Sequence, residues 1–389
     1  MRRVWLVLSL TLSLSVPLSS FGQSLPKSSK PLDRVQVLAL LAGGVASKRV
    51  AMLVEERGID FEPTEDYLKI LEGAGAEEIL IKTLRSAEQT KGPTIDPTSA
   101  AKQTQVQRHL ASGAELAQKK LYAQAEQEYR AALELDSENA DLHFALGNAL
   151  AEQGKLDAAI GEFREVLRLN PESAFAHHNL GVVFVRRGDT DGAIREYASA
   201  VRLYGGYAEA HNDLGLALAR KGDVDGATRE YREAIRLRPD MAQAHNNLAL
   251  ILGLRGDFDG AVAEHREAIR LAPDSPEAHQ GFGITLARKG DLESAIVELG
   301  KALRMNPDLA DGHALLGNVL GQKGDFEGAV TEYRSALRVS PNDASVHHLL
   351  GLALLTKGDR QAALEEFRAA YLLEPTNSQI RTNYEKLLL

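Results

Sequence analysis

The chain has 389 residues, of which 44% are apolar and 25% charged, and its 54 acidic side chains outnumber 45 Lys and Arg for a net charge of −9. An acidic chain without a basic block excludes a nucleic-acid-binding surface. The absence of cysteine excludes disulfides, thiolate zinc sites, thiol catalysis and a lipid-modified Cys anchor. Aromatic residues at only 5%, beside 33 glycines, favour closely packed helices over a β-sandwich.

The first element is Arg2-Arg3 followed by an apolar run from Val4 to Leu18 and the small residues Ser19, Ser20 and Gly22. A short basic region, an apolar stretch too short to span a bilayer and a small-residue site read as a signal peptide over residues 1–22, cleaved after Gly22. An uncleaved anchor is the alternative. Cleavage shifts the net charge from −9 to −11, and the mature chain is then expected to be periplasmic or secreted and soluble.

Residues 31–87 read as four short helices. The first holds Val35, Leu38 and Leu41 and stops at Gly43-Gly44; the second has Ser47 as N-cap and stops at Gly58. The third runs from Thr64 to Gly73, and the fourth carries Ile79, Leu80 and Leu84. Ser or Thr at starts and Gly at stops are the usual punctuation. So short a segment makes a marginal core and should lean on its neighbours. Residues 88–105, with Gly92, Pro93 and Pro97, read as a linker.

From residue 106 onward the chain repeats every 34 residues. Gly113, Gly147, Gly181, Gly215, Gly283, Gly317 and Gly351 share one lattice, with Ala249 at the missing node. Ala125, Ala159, Ala193, Ala227, Ala261, Ala295, Ala329 and Ala363 form a second; Pro171, Pro239, Pro273, Pro307, Pro341 and Pro375 form a third. Each unit holds two stretches whose apolar residues recur at spacings of three and four, the mark of an amphipathic helix. Small residues belong where two helices cross closely, and Pro ends the unit.

These residues resemble the tetratricopeptide repeat (TPR) family, whose pattern is carried, for example, by Leu214, Gly215, Leu218, Ala227, Tyr231, Ala234 and Pro239. The resemblance covers eight units: 106–139, 140–173, 174–207, 208–241, 242–275, 276–309, 310–343 and 344–377. Residues 378–389 are then a capping helix. It implies an all-α, right-handed α-solenoid whose first helices line a concave groove for a peptide or protein. By the same resemblance the groove holds His178, Asn179, Asn212, Asp213, Asn246, Asn247 and Gln280, then Val182, Leu216, Leu250 and Ile284, then Arg186, Arg220 and Arg288. The amides would pair with a peptide backbone, and the apolar row would hold its side chains.

Three departures from the pattern stand out. Gly205-Gly206 replaces Pro after the third unit, which predicts a softer joint, and Ser137 replaces Pro in the first. His265 and Leu299 replace the usual aromatic residue, which predicts looser packing in units five and six. His109, His143, His177, His211, His245, His279, His313 and His347 fill one lattice. Their spacing is too wide for a shared metal ion, which leaves packing as the preferred role and pH sensing open. Glu128, Glu162, Glu196, Glu230, Glu264, Glu298, Glu332 and Glu366 fill another, with arginines six residues later from Arg168 to Arg338, and read as a salt-bridged outer surface. Gly281-Phe282-Gly283 lacks the third glycine and the preceding strand of a dinucleotide loop.

No catalytic residue, cofactor or metal is expected. The reading is a non-catalytic scaffold that binds a polypeptide in the bacterial envelope; an arm presenting substrates to a separate envelope enzyme, such as a glycosyltransferase, is the alternative. N-terminal sequencing of the mature protein should begin near Gln23, and a cellular pool retaining Met1 would reject the leader.

Overall fold

The structure, a computed structural model, describes residues 32, 34–42, 47–59, 61–87 and 97–388. The expected leader, the Gly43-Gly44 stop and residues 88–96 of the expected linker lie outside the described residues. The fold is an all-α solenoid of eight helix pairs preceded by a small helical region, and the chain forms two compact units that part in sequence between Asp223 and Val224.

In the first unit, α1 (Arg34–Ala42), α2 (Ser47–Arg57), α3 (Glu65–Gly73) and α4 (Glu78–Ser86) form the small region. The Thr64 hydroxyl caps α3 by accepting from the Tyr67 amide. On α4 it is Leu80, Ile81 and Leu84 that turn inward, whereas Ile79 is exposed. The repeats follow as α5 (Pro97–Gln118) with α6 (Tyr122–Leu135), α7 (Ala140–Glu152) with α8 (Leu156–Leu169), α9 (Ala174–Arg187) with α10 (Thr190–Leu203), and α11 (Ala208–Lys221). Helix α5 starts at Pro97, so residues 97–105 of the expected linker are helical; Pro is well suited to a first helical position. The small region shares one apolar core with the first repeats, as its size requires.

The second unit holds α12 (Val224–Leu237), the pairs α13 (Ala242–Arg255) with α14 (Phe258–Leu271), α15 (Pro276–Lys289) with α16 (Leu292–Met305), α17 (Ala310–Lys323) with α18 (Phe326–Val339), α19 (Ala344–Thr356) with α20 (Arg360–Leu373), and α21 (Ser378–Leu388). The last helix packs on α20 and buries Ile380 and Leu387.

The same turn joins the two helices of most repeats. Gly188 ends α9 at φ +84°, a left-handed conformation that glycine adopts without steric cost, and the Asp189 carboxylate then caps α10 by accepting from the Gly192 amide. The first repeat has no glycine there, and Lys120 takes the left-handed position at φ +60°. Successive repeats are tied along one edge. The last residue of a first helix reaches back 30 residues, as in Lys221 to Asp191 (2.9 Å), Arg255 to Asp225 (2.7 Å), Lys289 to Asp259 (2.8 Å) and Lys323 to Glu293 (2.7 Å).

The glycine lattice is explained by the ring that faces it. A Cβ on Gly113 would stand 2.5 Å from the Tyr129 ring, on Gly181 2.6 Å from Tyr197, on Gly317 2.7 Å from Tyr333 and on Gly351 2.8 Å from Phe367. The exception fits the rule, because Ala249 occurs in the repeat where the ring is the shorter imidazole of His265. The expected looseness at His265 and Leu299 is absent. Both are fully buried; His265 Nε2 lies 2.9 Å from Thr285 Oγ1, and a Cβ on Gly283 would stand 2.7 Å from Leu299.

The joint after the third repeat is also filled. Tyr207 packs at 5.1 Å from Phe175 and 4.9 Å from His178, and the turn keeps the Tyr207-to-Tyr204 backbone hydrogen bond found at equivalent turns.

The packing rule is testable on Ala249 and His265. His265→Tyr alone should overpack against the Ala249 methyl and cost about 1–3 kcal/mol. Adding Ala249→Gly should recover most of that loss, as a coupling of about 0.5 kcal/mol or more in denaturant unfolding of the four-member cycle. Zero coupling rejects the explanation.

Candidate functional site

First helices of consecutive repeats touch, α7 with α9 in the first unit and α13 with α15, α15 with α17 and α17 with α19 in the second. Each unit therefore presents a face built from first helices, where the sequence places its candidate groove residues. The close approach buries most of the fifth and sixth positions and leaves the thirteenth nearer to solvent.

In the first unit the polar candidates bond to one another. Asn179 is fully buried and donates to Asn148 Oδ1 at 2.7 Å. His178 Nε2 lies 2.9 Å from Asp213 Oδ2, its Nδ1 is 3.2 Å from the Tyr207 hydroxyl, and Asn212 donates to Asp213 Oδ1 at 3.1 Å. Burial, helped by the Asp213 charge, raises the ionisation of neighbouring Tyr197 well above the ordinary phenol value. Val182 and Leu216 are buried too. Arg186 donates to the Ala151 carbonyl and to Glu152, both at 3.0 Å, and Arg220 is exposed. The sequence reading has these amides paired with a peptide backbone; in the structure they bond to one another and join α7, α9 and α11.

The second unit is more open. Asn246 and Asn247 are buried, and Asn246 Oδ1 has no hydrogen-bond partner among the described residues. Gly281 passes beside it, where a Cβ would stand 2.8 Å from that oxygen and 2.9 Å from His265 Cε1. This close approach accounts for a glycine in the middle of α15. Leu250, Gln280 and Ile284 are half-buried, and Arg288 is exposed and forms no ion pair with another described residue. Leu254, at the lattice position of Arg186, Arg220 and Arg288, is 48% exposed. Sequence reasoning passed over it because it departs from the arginine row.

The small helical region bears on the same face of the first two repeats. Helix α1 packs on α5 and α7, α3 packs on α5, and Gln118 donates to the Ala74 carbonyl at 2.7 Å. The face residues Leu110, Ala114 and Ala145 are buried. Nothing in the repeat pattern pointed to this cover; the sequence signal is that the face is apolar in repeats one and two and polar in repeat three.

The histidine and glutamate lattices come together. Nδ1 of His109, His143, His177, His245, His279, His313 and His347 lies 2.6–2.8 Å from the glutamate 19 residues later, from Glu128 to Glu366. The outer arginines instead pair three residues back, as Arg168 does with Glu165, Arg236 with Glu233 and Arg270 with Glu267. The expected Glu-to-Arg surface is thus two separate sets of contacts. Among the described residues no group of three or more His, Asp and Glu could hold a metal ion.

Because the Asn212, Asp213 and His178 cluster is buried, Asp213→Ala should remove one hydrogen-bond partner from the Asn212 amide and from His178 Nε2 and destabilise the protein by about 1–3 kcal/mol. Denaturant unfolding measures this, and an unchanged midpoint would show the cluster to be dispensable.

Comparison with known families finds matches to models described as TPR repeat, over residues 113–154, 147–188, 283–324 and 317–358, and as tetratricopeptide repeat, over 178–242, 222–276 and 344–377. No curated protein matches. Among solved structures, a tetratricopeptide repeat protein from Parabacteroides merdae is 18% identical, covers 64% of this chain and 99% of its own, and superposes with a TM-score of 0.54. An APC/C hetero-tetramer matches at 18% identity over 90% of this chain and 68% of its own, with a TM-score of 0.56. The type IV pilus biogenesis factor PilW matches at 19% identity over 54% of this chain and 97% of its own, with a TM-score of 0.51. At these identities the likeness is one of fold. The family models, the lattices and the stacked helix pairs agree: the chain belongs to the tetratricopeptide repeat proteins, a non-catalytic protein-interaction fold.

Proposed function

We propose that this chain is an exported scaffold that holds a polypeptide partner on the first-helix face of its repeats. The observation that carries this reading is the stripe on α13 and α15 of the second unit. Leu250 and Leu254 lie one helical turn apart on α13, and Gln280, Ile284 and Arg288 follow at the same spacing on α15. The stripe combines half-exposed apolar surface, an amide able to donate and accept, and a guanidinium not committed to another side chain. Such a set suits a segment that buries aliphatic side chains between Leu250 and Ile284 and offers a carboxylate to Arg288.

Export rests on Arg2-Arg3 and the Val4–Leu18 run. No helix among the described residues is long and apolar enough to cross a membrane.

Capture from envelope extract, with mass spectrometry of the bound protein, identifies the partner. The affinity of that partner is then measured for Leu250→Ala/Ile284→Ala/Arg288→Ala and for an outer-face control, Arg236→Ala/Arg270→Ala. Truncating three contact residues at more than about 1 kcal/mol each should weaken binding on the order of 100-fold, with helicity by circular dichroism retained. Loss of the partner by the control, with the stripe variant unaffected, would place binding on the opposite face.

A further inference from the structure

His143, His245, His279, His313 and His347 share a second contact. While Nδ1 faces its glutamate at 2.6 Å, Nε2 lies 3.0–3.1 Å from the main-chain carbonyl six residues earlier, that of Ser137, Pro239, Pro273, Pro307 or Pro341. Carbonyls and carboxylates only accept. A neutral imidazole has one N–H and one lone pair, so it would set that lone pair against an acceptor. Only the imidazolium donates on both sides. Each charged ring then joins the second helix of its repeat, through the glutamate, to the turn that precedes the repeat.

We propose that these five histidines are proton-loaded clamps that fasten their repeats to the turns before them while the rings are charged and loosen as they lose their protons, so that the array weakens as pH rises.

Carboxylates and carbonyl oxygens face the rings. His245 meets Glu264 and Glu267 of α14 and the Pro239 carbonyl of the α12–α13 turn; Arg270 binds Glu267, and Arg238 adjoins Pro239 in the chain. His143 meets Glu162 and, more remotely, Glu165 of α8, which Arg168 binds. His279 meets Glu298 of α16, which also accepts from Lys301 at 2.8 Å. His313 and His347 meet Glu332 of α18 and Glu366 of α20. The Glu264 hydrogen bond, outweighing burial, holds His245 above the ordinary histidine value. A folded value above the unfolded one means that this stabilisation is full below about pH 6.5 and is lost as pH rises through the folded value. On the acid side, burial of Glu298 opposes its ionisation, yet hydrogen bonds from Lys301 and His279 bring it below the ordinary carboxylate range. Its contribution is therefore present above the unfolded value and lost as pH falls through the folded one. The clamp works best in mildly acidic solution.

The test uses the full chain labelled with ¹⁵N-histidine. At pH 7 His245 should carry more imidazolium character in its nitrogen shifts than a free histidine, and buried His265, pushed down to about 3 by desolvation, should serve as the neutral reference. The wild-type Tm should fall by about 4 °C or more between pH 6 and pH 8.5. In His245→Gln/His279→Gln/His313→Gln that fall should shrink by at least half, and in Glu264→Gln/Glu298→Gln/Glu332→Gln likewise. Neutral rings at pH 6 in the folded protein, or a flat wild-type Tm, would overturn the proposal even if neither variant folds. A full wild-type pH response in both variants would also overturn it.

Discussion

The approach of two helices over a glycine is the constraint on which this solenoid rests. In the first three and the last two repeats the first helix lies so close to the second that an aromatic ring of the second occupies the space of a Cβ on the first. A close-packed interior has no room for both. The pair therefore behaves as one unit of shape: Gly113 with Tyr129, Gly147 with Phe163, and Gly351 with Phe367. Position and spacing of the remaining apolar residues follow, because a helix held at that distance presents the same stripe to the next repeat each time.

Polar contacts around this joint differ in weight. The edge ion pairs from Arg187 to Asp157 through Lys323 to Glu293 are solvent-exposed, and such pairs are typically worth about 0–1 kcal/mol each. They set register more than stability. The His-to-Glu contacts are more sheltered: His279 and Glu298 are 5% and 12% exposed. A bond made there is charge-assisted and less screened by salt. The buried group of His178, Asn179, Asn212 and Asp213 is different again, since each polar atom left unmatched in it would carry a desolvation cost.

Much of this was legible in the sequence. A strict period exposes both helices of each repeat, the turn and the small-residue joint, because every repeat solves the same packing problem. The period also hid things. It showed the histidine and glutamate lattices as separate columns, since residues 19 apart share no helical face and meet only when two helices fold back on each other. It gave no sign that amides at the fifth and sixth positions would turn inward, because burial there depends on how closely neighbouring repeats stack. The cover over repeats one and two was illegible for the same reason, being a contact between non-repeating and repeating sequence. At Gly205-Gly206 the sequence showed the missing proline but not the cluster of Tyr204, Tyr207 and Phe175 that packs beside it.

The edge ion pairs have a bearing on how such a chain can change length. Each joins the end of one first helix to the start of the preceding second helix by the same 30-residue step, from Lys289–Asp259 to Lys323–Glu293 and Lys357–Glu327. Loss or duplication of one whole 34-residue module in this stretch would bring a basic residue of the same position opposite an acidic residue of the same position. The reach of the array can therefore drift over generations by whole modules without a new interface having to be invented. The first two repeats lack that freedom, because α1 and Gln118 fasten them to sequence that does not repeat.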